Sequence, residues 1–180
     1  MNLPNKLTVL RVIMIPFFVF FMLYNPDSIT FRGIAEAIFI VASLTDMLDG
    51  KIARKYNLVT NFGKFMDPLA DKLLVCSAMI CLLSLGELPT VVVLIIIARE
   101  FIISGFRLVA ANANIVIAAN MWGKSKTVSQ MLMVIVLILN FDFCWYTVLG
   151  NVLICLATAL TVISLITYLY QNKDVLKDQN

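Results

Sequence analysis

The chain has 180 residues, 61% hydrophobic and 14% charged, with a mean hydropathy of +0.94 and a formal charge of +3. A soluble domain carries roughly a quarter charged residues, so this composition excludes a water-soluble globule and points to an all-α integral membrane protein. The absence of histidine removes the usual general base and the usual transition-metal ligand, leaving acid–base and metal chemistry to carboxylates.

Taken in chain order, "NLPNKL" suits a short N-terminal interfacial helix with Pro4 in its first turn. The run "VIMIPFFVFFMLY" predicts a first membrane helix near 8–24. The "MLYNPD" at its end offers no small-residue cleavage site, so the run reads as a retained helix and not a removed signal. Further apolar runs predict helices near 31–54, 62–85, 90–111, 124–140 and 147–171. "LYNPDS", "GELP" and "NFDF" punctuate them as short turns, and "QNKDVLKDQN" reads as a solvated tail. The expected architecture is a single domain over 1–180 with six transmembrane helices.

Basic residues cluster in the N-terminus, in the second and fourth connections and in the C-terminus, as Lys6, Arg11, Lys51, Arg54, Lys55, Lys64, Arg107, Lys124, Lys126, Lys173 and Lys177 show. By the positive-inside rule this places both termini on the cytoplasmic side of the cell membrane; no nucleic-acid partner is expected. Cys76, Cys81, Cys144 and Cys155 lack C-x-x-C spacing and read as small buried residues.

The second and third helices are unusual. Their apolar stretches, 34–44 and 73–85, fall short of the ~20 residues a span needs, and polar segments complete them at the cytoplasmic boundary. Asp46, Gly50 and Ala53 recur at i, i+4 and i+7 with Asp49 beside them, while Gly63, Asp67 and Asp71 recur at i, i+4 and i+8. Folded antiparallel about 57–60, the two helices bring Arg54 opposite Gly63, Gly50 opposite Asp67 and Asp46 opposite Asp71. Pro68 requires either that the third helix begins at Asp67 or that it kinks there.

Four carboxylates at one depth in a low-dielectric site require cations among them. Oxygen-only ligands favour magnesium or manganese, and this number suits two ions about 3.5–4 Å apart, a clamp for phosphoryl groups. Gly50, Ala53 and Gly63 leave backbone bare for a bulky ligand, and Arg54 is placed to meet a phosphate or a nucleotide edge.

The run "DMLDGKIAR", eight residues, then "GKFMDPLAD" fills every fixed position of the signature D-x-x-D-G-x-x-A-R…G-x-x-x-D-x-x-x-D. The chain thereby resembles the CDP-alcohol phosphatidyltransferases, and "PNKLTVLR" with the six-helix layout extends the likeness beyond Asp46–Asp71. The resemblance implies binding of a CDP-linked lipid such as CDP-diacylglycerol, transfer of its phosphatidyl group to an alcohol, release of CMP, and a homodimer. It implies Asp46, Asp49, Asp67 and Asp71 as metal ligands and Asp71 as general base. It also implies a CDP pocket at Gly50, Ala53, Arg54 and Gly63, completed by Asn5 and Thr8.

A phosphorylated acceptor needs further cations, which Arg107, Lys124 and Lys126 supply. Arg99 beside Glu100 reads as an internal ion pair and stands outside this set. The arrangement "ARE…SGFR…GKSKT" resembles family members whose acceptor is glycerol 3-phosphate, with inositol phosphate or phosphatidylglycerol as alternatives. A membrane prenyltransferase and a divalent-cation transporter are the readings outside the family.

Overall fold

The structure, a computed structural model, describes residues 3–55, 61–112 and 121–172; for 3–4, 46–55, 61–65, 67–68 and 111–112 it describes the backbone alone. The described residues form six helices and no strand: α1 (Leu3–Tyr24), α2 (Ile29–Lys55), α3 (Asn61–Ser84), α4 (Thr90–Asn112), α5 (Met121–Leu139) and α6 (Cys144–Gln171). Among them α1 from Asn5, α5 and α6 are long and apolar enough to cross a membrane. The remaining three have 27, 24 and 23 residues, but charge interrupts their apolar runs, as Arg32 and Glu36 do in α2 and Arg99, Glu100 and Arg107 in α4.

One expectation is corrected. The N-terminal segment is not a separate interfacial helix, because α1 runs unbroken from Leu3 and absorbs it. Pro4 sits in the first turn, where a missing N–H costs nothing, and Pro16 is carried inside the helix.

The other helix ends follow from local chemistry. Gly86, at φ +76°, closes α3: its N–H reaches the Leu83 carbonyl at 3.0 Å and the Glu87 N–H reaches Leu82 at 2.9 Å. This paired pattern needs a left-handed residue, which glycine adopts without strain. Asn140 also takes a left-handed φ, +40°, directly after α5.

The chain divides into two compact units, one of Met1–Glu87 with Leu137–Asn140, the other of Leu88–Val136 with Phe141–Asn180. In the first, α1 packs on both α2 and α3, and α2 on α3. Phe18, Met22, Phe39, Leu74 and Leu82 fill its core, with Ala35, Ala42, Ala70 and Ala78 allowing close backbone approach. At the end of α2 remote from the aspartates, Arg32 donates to Glu87, to the Pro26 carbonyl and, at 3.0 Å, to the Ile138 carbonyl. Asn140 Nδ2 adds a 3.0 Å bond to Glu87. Arg32 and Glu87 thus form one largely buried knot.

In the second unit α4 packs on α6 through Ile103, Phe106, Ala110 and Tyr168, with the Phe106 and Tyr168 rings edge to face at 5.8 Å. Large apolar side chains elsewhere on these helices face outward, among them Val91, Leu94, Phe101, Leu108, Val152 and Ile166. A surface of this kind is stable against acyl chains and not against water.

Candidate active site

In the first unit α2 is helical without a break through 46–55 and α3 through 61–71. The backbone therefore keeps Asp46, Asp49, Gly50 and Ala53 on one stripe of α2, and Gly63, Asp67 and Asp71 on one stripe of α3. Because α3 begins at Asn61, Pro68 lies inside the helix and does not start it. The side chains of Asp46, Asp49, Gly50, Ala53, Arg54, Gly63 and Asp67, and all of residues 56–60, lie outside the described residues. Asp71 is described and half-buried. The donor set of four carboxylates, with neither sulfur nor nitrogen, has the chemistry of a hard divalent cation site.

Helix α1 brings a buried polar stripe to this unit. Asn5, Thr8 and Arg11 recur every third residue and are all buried, Thr8 and Arg11 completely. Arg11 Nε donates at 3.3 Å to the carbonyl of Ala42, one helical turn before Asp46. Arg11 had read as a topology-setting charge; its place in the Asn5–Thr8–Arg11 stripe was the available signal. Glu36 went unread altogether. It is 8% exposed within α2, and its Oε2 has no hydrogen-bond partner among the described residues. An acid buried in a membrane-length helix is costly and so calls for a role.

The second unit holds the three expected cations, each in different surroundings. Lys126 is 2% exposed and pairs with Glu100 of α4. The same carboxylate oxygen accepts Arg99 Nη1 at 3.1 Å, while Arg99 Nη2 donates to Ser164 Oγ of α6 at 2.6 Å. The expected Arg99–Glu100 pair is therefore present, and it includes Lys126. Arg99 Nε, also buried, has no partner among the described residues. Lys124 stands two residues before Lys126 on the same helix, a spacing that turns side chains to different faces. It is exposed and lines a groove between α5 and α6. Arg107 is exposed, with its guanidinium 5.6 Å from the Tyr168 ring centre and Nε 3.4 Å from the Tyr168 hydroxyl. That stacking holds the planar fork in place while leaving donors for an anion.

Comparison with known proteins adds an independent line. Residues 1–166 match the family model of the CDP-alcohol phosphatidyltransferases. The chain is 44% identical to the CDP-diacylglycerol–glycerol-3-phosphate 3-phosphatidyltransferase of Bacillus subtilis, over 99% of both chains. It is 38% identical to the protein of that name from Rickettsia bellii, over 93% of each. The likeness to the one from Haemophilus influenzae is also 38%, over 98% of this chain and 96% of the relative.

Proposed function

We propose, from the premise that this chain belongs to the CDP-alcohol phosphatidyltransferase family, that it transfers the phosphatidyl group of CDP-diacylglycerol to glycerol 3-phosphate. The products are phosphatidylglycerol phosphate and CMP. The observation that carries this reading is near-full-length similarity to proteins named for that reaction, including the stretch that holds all four aspartates.

Asp46, Asp49, Asp67 and Asp71 hold magnesium or manganese, two ions per site. When bound, such ions neutralise a pyrophosphate and stabilise the departing CMP oxygen. Asp71 accepts the proton of the acceptor hydroxyl as its oxygen forms the new bond to phosphorus and the bond to CMP breaks. A free aspartate, with a pKa near 4, is too weak to deprotonate an alcohol beforehand, so proton transfer accompanies attack. Asn5, Thr8, Gly50, Ala53, Arg54 and Gly63 form the CDP pocket, their small members letting the nucleotide lie against backbone.

Arg107 and Lys126 meet the phosphate of the acceptor. Lys126 exchanges part of its bond to Glu100 for that phosphate, and Arg107 offers it the open side of a guanidinium already steadied on Tyr168. Lys124, on a different face of α5, stands apart from this pair. All six helices cross the cell membrane with both termini cytoplasmic, the reaction runs at that boundary, and the protein is a homodimer.

CMP release by purified protein, supplied with CDP-diacylglycerol, magnesium or manganese, and one alcohol at a time, tests the reading. Release with glycerol 3-phosphate alone supports it. Release with inositol phosphate or phosphatidylglycerol instead would retain the transfer and replace the acceptor; no release with any alcohol would remove the transfer itself.

A further inference from the structure

Helices α5 and α6 are not a closely packed pair; in their unit the close pair is α4 and α6. The Tyr146 hydroxyl donates at 2.8 Å to the Val136 carbonyl and ties α6 to α5 at one end. Toward the other end they leave a groove of about 430 Å³, within the ~300–1,000 Å³ of small-molecule sites. Lys124, Val128 and Leu132 of α5 line it together with Leu153, Leu156 and Leu160 of α6. From Lys124 to Leu132 the groove extends eight residues, about 12 Å.

The two ends of this groove differ in chemistry. One is an aliphatic slot. The other carries the exposed ammonium of Lys124, which favours an anion. An elongated apolar trough ending in a cationic mouth, on a helix apolar enough to cross a membrane, complements one kind of molecule. We propose that this groove binds an anionic glycerophospholipid of the surrounding bilayer. One acyl chain lies along Val128, Leu132, Leu153, Leu156 and Leu160, and the phosphodiester sits on Lys124. The site is separate from the transfer reaction and holds a bilayer lipid, not the donor.

Native mass spectrometry of the full-length protein released from detergent tests this with phosphatidylglycerol and phosphatidylcholine as probes. The wild type is expected to retain one phosphatidylglycerol per chain and to prefer it about fivefold over phosphatidylcholine, the contribution of one lysine near a lipid surface. Lys124→Gln is expected to abolish the preference. Leu156→Trp and Leu132→Trp, both at outward positions where bulk is tolerated and each checked for native helicity, are expected to lose retention altogether. Ile166→Trp, exposed on α6 outside the groove, is expected to change nothing. Equal retention of the two lipids by the wild type would overturn the proposal, as would undiminished retention by both groove variants. Displacement of phosphatidylglycerol by one equivalent of CDP-diacylglycerol would also overturn it, because the groove would then belong to the donor site.

Discussion

Two arginines of this protein sit buried beside glutamates, and they are not alike. Arg32, in the first unit, has every nitrogen engaged: Nε with the Pro26 carbonyl, Nη1 with Glu87 and the Ile138 carbonyl, and Nη2 with Glu87. Cation and carboxylate stand one to one, and Asn140 covers the remaining side of Glu87. Arg99, in the second unit, shares Glu100 with Lys126 and keeps a buried Nε without a partner among the described residues. The first network is closed on itself. The second keeps a donor to spare in Arg99 Nε among the described residues. Buried charge satisfied to the last donor is strongly held by the fold, and a buried donor left unpaired is a cost that calls for an explanation.

Several substitutions sharpen or break that contrast. The largest effect belongs to chemistry and sets the scale. Asp71→Asn should lower CMP release by about 10²- to 10⁴-fold, the usual loss of a general base, with CDP-diacylglycerol binding retained. Wild-type turnover in this variant would remove Asp71 from that role.

Next comes the closed knot. Arg32→Met leaves Glu87 buried and unpaired and should destabilise the fold by about 3–5 kcal/mol in a denaturant titration in detergent. Turnover per folded molecule should be unchanged. A variant as stable as wild type would show that the knot is solvated and break the comparison from that side.

The open cluster should behave in the opposite way. Lys126→Gln keeps the Arg99–Glu100 pair, so stability should fall less than in Arg32→Met. The KM for glycerol 3-phosphate should rise about tenfold, as loss of one charge-assisted hydrogen bond implies, while the KM for CDP-diacylglycerol stays put. Equal rises in both constants would sink the assignment of Lys126 to the acceptor.

The smallest effect is expected at Arg107→Lys, which keeps the charge but loses the planar fork over Tyr168. A loss of about 0.5–1 kcal/mol, or two- to fivefold in acceptor KM, is the expected result. A lysine that restored full affinity would show that charge alone matters there.

Much of this molecule is legible along the chain. The alternation of apolar runs with "LYNPDS", "GELP" and "NFDF" marks six helices within a few residues of where they occur, because hydropathy and turn chemistry act locally. The faces of α2 and α3 follow in the same way: a residue's angle about its own axis depends only on helical period, so Asp46 and Gly50, or Gly63 and Asp67, share a stripe wherever the helix packs. The helix ends were less legible. The first helix begins at Leu3 because nothing in "NLPNKL" stops it, proline being harmless in a first turn.

Partner choice was legible only for the adjacent Arg99 and Glu100, and not between residues far apart in the chain. Arg11 looked like a charge placed for topology and Glu36 drew no notice, yet both are buried, as is Arg32. Arg32 finds Glu87 across 55 residues, and Arg99 finds Ser164 across 65. Lys124 and Lys126, adjacent in any count of basic residues, part because one meets α4 and the other a groove beside α6. Sequence by itself determined what is short-range here: membrane character, helix positions, and which residues ride on one face. Only the tertiary structure decided which face meets which, because helix packing is set by side-chain contacts between segments far apart in the chain. Those contacts turn a row of scattered charges into one closed knot and one open cluster.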